Sequence, residues 1–178
     1  MNKLLIVYST WAGATHAVAK KISELLQERS FVVDIQKANS SITIEEYDGY
    51  IIGTSIHAGK TIKSFREFIK INLKQISAKP TAVFAVCANM INETENNRQE
   101  TSEWIKKSLA KYSTFKPLSI GLFGGAFLTE GTDFNNLNFF IRKMILSMNK
   151  NLDENQKNPD FYKNDSISDW VIEISEKF

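Results

Sequence analysis

Lys3-Leu4-Leu5-Ile6-Val7-Tyr8-Ser9-Thr10-Trp11-Ala12-Gly13-Ala14-Thr15-His16 is the stretch on which the reading of this chain turns. An apolar, strand-like run from Lys3 to Tyr8 breaks into hydroxyls and a glycine. A helical pattern then starts near Thr15, with Val18, Ile22, Leu25 and Leu26 on one face. Such a junction builds an anion cradle, because the first turn of a helix carries unpaired N–H groups and a partial positive charge. The loop holds no Lys or Arg. The anion is then bound by neutral donors and the dipole, which suits a phosphate monoester held stoichiometrically; transfer from a triphosphate normally requires a lysine. Ser and Thr at a strand-to-helix junction also serve as plain caps, and that reading stays open on this stretch alone.

Beyond His16, apolar strand-like runs alternate with helix-period segments, the pattern of an α/β domain whose parallel sheet is covered on both faces. Five strands are predicted: Lys3 to Tyr8, Val32 to Gln36, Gly49 to Thr54, Thr81 to Cys87 and Leu118 to Gly124. Helices are predicted at Thr15 to Arg29, Thr61 to Gln75 and Asn97 to Tyr112. A last one, Ser168 to Phe178, has Ser168 as its expected N-cap. Right-handed crossovers turn this order into a doubly wound sheet. The segment from 127 to 162 is an insertion that the topology does not need. It carries a helix candidate, Asn135 to Asn149, in which Phe140, Ile141 and Met144 are interleaved with Arg142 and Lys143, followed by a polar stretch, Asn151 to Asn158.

The 178 residues are 43% hydrophobic and 24% charged, which fits one compact domain over 1–178. No run approaches the roughly 18 apolar residues of a membrane span, and the N-terminus enters strand-like sequence without a signal peptide, so a cytoplasmic protein is expected. One cysteine, Cys87, excludes an internal disulfide. A net charge of +2 carried by dispersed basic residues does not imply nucleic acid. No internal repeat or low-complexity segment is evident.

In an open parallel sheet wound 2-1-3-4-5, ligands sit outside the carboxyl ends of the first and third strands, where the winding reverses. Three loops converge there. Ser9 to His16 follows strand one, Thr54-Ser55-Ile56-His57-Ala58-Gly59-Lys60 follows strand three, and Ala88-Asn89-Met90-Ile91-Asn92 follows strand four. The first offers phosphate donors; the others offer backbone amides and small, flat or apolar side chains of the kind a planar ring system needs.

Ser9-Thr10-x-x-Gly13-x-Thr15 together with Gly53-Thr54-Ser55-Ile56 resembles the flavodoxin superfamily. The chain is most similar to the branch containing the menaquinone-dependent protoporphyrinogen oxidases. Ser55, Ile56 and Gly59 match that branch's second loop, and Phe65 and Phe68 its next helix. Gly125-Ala126 follows the last strand, Phe140, Ile141 and Lys143 lie in the insert, and Asp169-Trp170 opens the last helix. The branch carries Arg and an aromatic residue where this chain has His57 and Ala58, and an Arg-Tyr-Pro run where it has Leu128-Thr129-Glu130.

The resemblance implies a three-layer, flavodoxin-like sandwich with FMN as cofactor. Ser9, Thr10, Trp11, Ala12, Gly13, Ala14, Thr15 and His16 would surround the phosphate. Ser55, Ile56, His57, Ala58, Gly59 and Lys60, with Ala88, Asn89, Met90, Ile91 and Asn92, would flank the isoalloxazine. Lys60 or His57 near the ring would ease its reduction. The implied activity is an oxidoreductase that takes electrons from an organic substrate and passes them to a quinone; a flavodoxin-type electron carrier is the alternative. Shuttle flavodoxins need an acidic docking face, whereas this chain is mildly basic. The helix of the insert is expected to pack onto the domain; the alternative is that Phe139, Phe140, Ile141 and Met144 beside Arg142, Lys143 and Lys150 form a basic apolar surface that meets a membrane or a quinone-bearing partner.

Other readings of single features remain. Gly53 to Thr61 approximates a P-loop, but five residues rather than four separate Gly53 from Gly59, and no acidic residue ends the next strand. Cys87 at a strand end reads as core, since no second cysteine stands near it.

Overall fold

The computed structural model describes residues 2–39, 41, 42, 44–126, 128–150 and 165–178. Strands β1 (Lys3–Ser9), β2 (Val32–Lys37), β3 (Gly49–His57), β5 (Thr81–Cys87) and β6 (Ile120–Gly124) form a parallel sheet in the order β2-β1-β3-β5-β6. Helices α1 (Ala14–Gln27) and α7 (Asp165–Ser175) cover one face. Helices α2 (Lys63–Ile71), α3 (Leu73–Ala78) and α4 (Glu95–Leu109) cover the other.

The layers follow from the two-residue alternation of a strand. Along β1, Leu4 and Ile6 point into one core with Val18, Ile22 and Trp170, while Leu5 and Val7 point into the other with Phe65, Phe68 and Ile105. Both faces of β1 are apolar because both are covered. The first core holds an aromatic cluster in which Phe123 and Trp170 meet edge to face at 5.5 Å and Phe84 packs against both. Strand β3 makes room for it at Gly53, where a Cβ would stand 2.1 Å from Phe84 Cζ. The Trp170 indole N–H donates to Ser119 Oγ at 3.0 Å, so the buried ring keeps its polar atom satisfied.

The structure amends the expected elements in four places. A sixth strand, β4 (Lys60–Thr61), pairs antiparallel with an extended β3, so a tight hairpin stands where an open loop after strand three was expected. Its two central residues, Ala58 and Gly59, have φ of +46° and +71°, the pattern of a type I′ turn. The helix expected from Thr61 to Gln75 is two helices, broken at Asn72, whose buried side chain donates to the Phe68 carbonyl at 3.0 Å and competes with the backbone for it. Ser168 lies inside α7, which opens at Asp165, and so is not its cap.

The insert begins with α5 (Thr132–Asn135) and continues as α6 (Phe139–Lys150), later than the predicted Asn135 start. Phe134 and Ile145 bury against Ala12, with Trp11, Leu137 and Ile141 packed alongside, so the insert rests on the first loop. The polar stretch Asn151 to Asn158 lies outside the described residues. Among the described residues, no helix is long and apolar enough to cross a membrane.

Candidate functional site

Strand β1 delivers Ser9 to the carboxyl edge of the sheet, and the chain reverses into α1 through Gly13, at φ +102°. A left-handed residue just before the first helical turn opens the loop outward, and glycine occupies that conformation without a Cβ penalty. The Gly13 N–H donates to Thr10 Oγ1 at 2.9 Å. That bond folds the loop and leaves the Thr10 hydroxyl proton free to point elsewhere. Ser9 is buried and accepts from the Ser64 hydroxyl at 3.0 Å, which ties the loop to α2.

Thr15 is the telling residue. It is 0% exposed, and its Oγ1 has no hydrogen-bond partner. A buried hydroxyl left unpaired costs on the order of 1 to 3 kcal/mol, so such groups are few. This one lies in the first turn of α1 and lines the cleft beside the loop, where an anion bound to the helix N-terminus would accept its proton.

The cleft is shallow and open, with about 440 Å³ of empty space once its solvent-facing mouth is included. Thr10, Trp11, Ala12, Ala14 and Thr15 form one wall, Ser55, Ile56 and His57 the second, and Val86, Ala88, Gly125 and Ala126 the third. Trp11 and His57 touch edge to face at 4.2 Å, joining the loop to the hairpin. His57 Nε2 lies 3.3 Å from Ser55 Oγ, and burial pushes the imidazole below its ordinary pKa, so it is neutral at pH 7. Every other lining residue is uncharged at any pH, so among the described residues the cleft lining carries neither cation nor carboxylate at neutral pH.

Of the residues expected around a ligand, nine line this cleft: Thr10, Trp11, Ala12, Ala14, Thr15, Ser55, Ile56, His57 and Ala88. Others stand behind or beside it. His16 faces the outside, stacked on Tyr8 at 4.6 Å with an interplanar angle of 2°. Its pKa is lowered, first by burial and then by Lys20, against the pull of Asp133. Ala58, Gly59 and Lys60 turn away into a neighbouring groove. Ala88 to Ile91 form a 3₁₀ turn in which Met90 is buried in the core and Asn89 donates to Glu100 at 2.9 Å, while the Asn92 carbonyl accepts from Asn97. Val86 went unforeseen because a Val in a strand carries no chemical signal. Gly125 and Ala126 were legible only as a motif. Cys87 is buried and its thiol pKa raised by that burial, which leaves it protonated and inert. Among the described residues no group of His, Cys, Asp or Glu could hold a metal ion.

The outer side of the loop is covered by the insert. Asp133 pairs with Lys37 at 2.5 Å and lies 3.9 Å from His16 Nδ1. A Cβ at Gly13 would stand 3.4 Å from Leu128 and 3.9 Å from Asp133. The insert thus holds the first loop from behind and leaves its cleft side open.

These features agree with what the chain resembles. The pattern of the Flavodoxin domain family matches residues 5–160. Protoporphyrinogen IX dehydrogenase [quinone] of Leishmania major is 29% identical over 147 residues, covering 80% of this chain but 60% of that protein. The Escherichia coli K12 protein of the same name is 24% identical over 176 residues, covering 97% of this chain and 94% of its own. Oxidised flavodoxin 2 from Bacillus cereus superposes with a TM-score of 0.59 at 19% identity, covering 99% of both chains. Fusobacterium nucleatum flavodoxin bound to flavin mononucleotide does so with a TM-score of 0.54 at 14% identity, covering 100% of this chain and 99% of that one. The chain belongs to the flavodoxin-domain family.

Proposed function

We propose that the cleft holds FMN and that the protein is an oxidoreductase, taking electrons from an organic donor of the protoporphyrinogen class and passing them to a quinone. The observation that carries the cofactor is the Thr15 hydroxyl, fully buried and unpaired in an anion cradle without a charged side chain. The names of the Leishmania and E. coli relatives support the donor and the acceptor, and the FMN in the Fusobacterium flavodoxin supports the cofactor.

FMN, when bound, supplies the redox chemistry. The residues of this chain bind and orient it. Thr10, Thr15 and the backbone N–H groups of Ala14 and His16 would take the phosphate. Trp11, Ile56, His57, Ala88 and Gly125 would wall the ring and exclude water. Shuttle flavodoxins make reduction harder with carboxylates around the ring, whereas among the described residues the lining of this cleft has none. The expected cation at the ring is absent from the lining too, since His57 is neutral and Lys60 lies in the groove outside. Fixed dipoles then set the ring's environment, and an oxidoreductase fits that better than a carrier does.

Helix α6 fits the acceptor side. Phe139 and Phe140 are 71% and 80% exposed, Met144 and Leu146 are exposed as well, and the helix carries Arg142, Lys143 and Lys150 with no acidic residue. Such a surface suits peripheral contact with an anionic membrane that contains the quinone. Two of the residues expected to face lipid are committed inward instead. Ile141 packs against the cluster of Ala12, Phe134 and Ile145, and the Arg142 guanidinium lies 5.3 Å over the Phe134 ring. The reading predicts FMN as the chromophore released from purified protein, anaerobic bleaching of that flavin by protoporphyrinogen, and recovery of its colour on adding menaquinone. Bleaching by a ferredoxin reductase system but not by protoporphyrinogen would return the protein to the carriers.

A further inference from the structure

Outside the hairpin lies a groove in which Lys60, Arg66, Trp104, Lys107 and Lys111 converge from β4, α2, α4 and the turn after α4, and among the described residues no carboxylate lines it. Four cations at one place exceed the net charge of +2 of the whole chain, so the local field is strongly positive. Arg66 is held in place. Its guanidinium donates to the Thr61 carbonyl, and its own carbonyl accepts from the Tyr112 hydroxyl at 2.8 Å. Thr61 in turn is bonded to Ser108 at 2.7 Å. Lys60, Lys107 and Lys111 make no ion pair among the described residues, and the Trp104 indole N–H has no protein acceptor there.

Cations near the end of α4 complement its dipole, which accounts for Lys107 and Lys111. It does not account for Lys60 and Arg66 turned toward the same space, nor for an unpaired indole donor among them. Gly59 packs on the Trp104 ring, where a Cβ would stand 3.1 Å from Nε1, so the turn that lines the cleft with His57 also builds the groove wall. The two sites share four residues of backbone, His57 to Lys60.

We propose that this groove binds the carboxylates of the electron-donating substrate, with Lys60, Lys107, Lys111 and the Trp104 N–H as donors, so that the macrocycle of the substrate reaches across the hairpin to the mouth of the cleft. The inference rests on the function proposed above for its substrate. Apart from Lys60, it places the recognition of negative charge on side chains that none of the motifs above contains. Charge-assisted hydrogen bonds of this kind are the strong ones, and two carboxylates would fix both position and orientation.

The test uses the FMN-loaded protein and two probes, protoporphyrin IX and its dimethyl ester, with binding read by titration calorimetry. The diacid should bind at least tenfold tighter than the ester. Lys107→Glu with Lys111→Glu should erase that preference and leave ester affinity and the flavin spectrum unchanged. Trp104→Phe, which keeps an aromatic ring and removes the N–H, should weaken the diacid alone. Equal binding of the two probes to the unaltered protein would overturn the proposal, as would a double variant that still prefers the diacid. An effect of the variants confined to turnover with an acidic protein partner would overturn it too, by making the groove a protein-docking surface. Intact diacid preference without flavin bleaching by protoporphyrinogen would sink the proposed reaction and leave the groove standing.

Discussion

Thr15→Val tests the phosphate cradle with two effects of opposite sign. Valine has nearly the shape of threonine and lacks the hydroxyl, so no cavity opens at this fully buried position. Without ligand, the variant removes a buried donor that has no partner. Such a group costs about 1 to 3 kcal/mol, so the unliganded variant should be more stable by about 1 kcal/mol, or roughly 2 to 4 °C in Tm for a chain of this size. With ligand, the variant loses a hydrogen bond to a charged group, worth about 1.5 to 3 kcal/mol. At about 1.4 kcal/mol per decade, FMN affinity should fall by roughly one to two decades. Riboflavin, which lacks the phosphate, should bind both proteins alike. Differential scanning calorimetry of the apoprotein and quenching of flavin fluorescence measure the two sides. If the apo variant is less stable, or if riboflavin loses as much as FMN, the hydroxyl is not waiting for a phosphate and the reasoning fails.

Gly53→Ala should destabilise the fold by about 3 kcal/mol or more, because the new Cβ would stand 2.1 Å from Phe84 Cζ in a packed core; Phe84→Leu in the same chain should recover much of the loss in urea denaturation. Ala58→Gly should stabilise the apoprotein by up to about 1 kcal/mol in the same assay, since Ala58 holds φ +46° and pays the left-handed cost of a Cβ. His16 and His57 both have folded pKa values below the ordinary 6.5, so below that pH the unfolded chain binds more protons than the folded one. Stability should therefore fall as pH drops from 7 toward 5.5, and His57→Gln should flatten that slope; a flat wild-type profile would contradict the assignment. Lys143→Glu with Lys150→Glu should abolish low-salt cosedimentation with anionic vesicles, at about 1 kcal/mol lost per lysine, while dye reduction stays unchanged. Wild-type protein that ignores such vesicles would leave α6 as a packing element.

The sheet was legible because its strands are buried on both faces. Leu4 to Tyr8 and Thr81 to Cys87 are continuous apolar runs that only a covered parallel strand explains, and their order dictated the winding. The hairpin was not legible, because its turn carries Ala58 rather than the Asn or Asp that announces a type I′ turn, and β4 is two residues long. The break at Asn72 was hidden for a related reason. Apolar periodicity runs straight through it, and only the buried amide bonded to Phe68 reveals that the backbone is interrupted.

The site divides along the same line. Thr10, Gly13 and Thr15 could be read from the sequence because a neutral cradle depends on residue types in fixed positions around one helix start. The rest of the ligand wall is chosen by where backbone passes. Val86 and Gly125 line the cleft through the register of β5 with β6, while Met90, two residues from Ala88, faces the opposite core. A 3₁₀ turn sends successive side chains about 120° apart, so the run from Ala88 to Asn92 divides, with Ala88 at the cleft and Met90 in the core. The hairpin sorts its residues more sharply. His57 and Lys60 are paired across it, yet one lines the neutral cleft and the other the basic groove. Sequence proximity to the cleft was therefore a poor guide to charge at the cleft. The same turn that keeps lysine away from the cleft concentrates it a few residues off, where a substrate's carboxylates could be held without altering the electrostatics of the flavin.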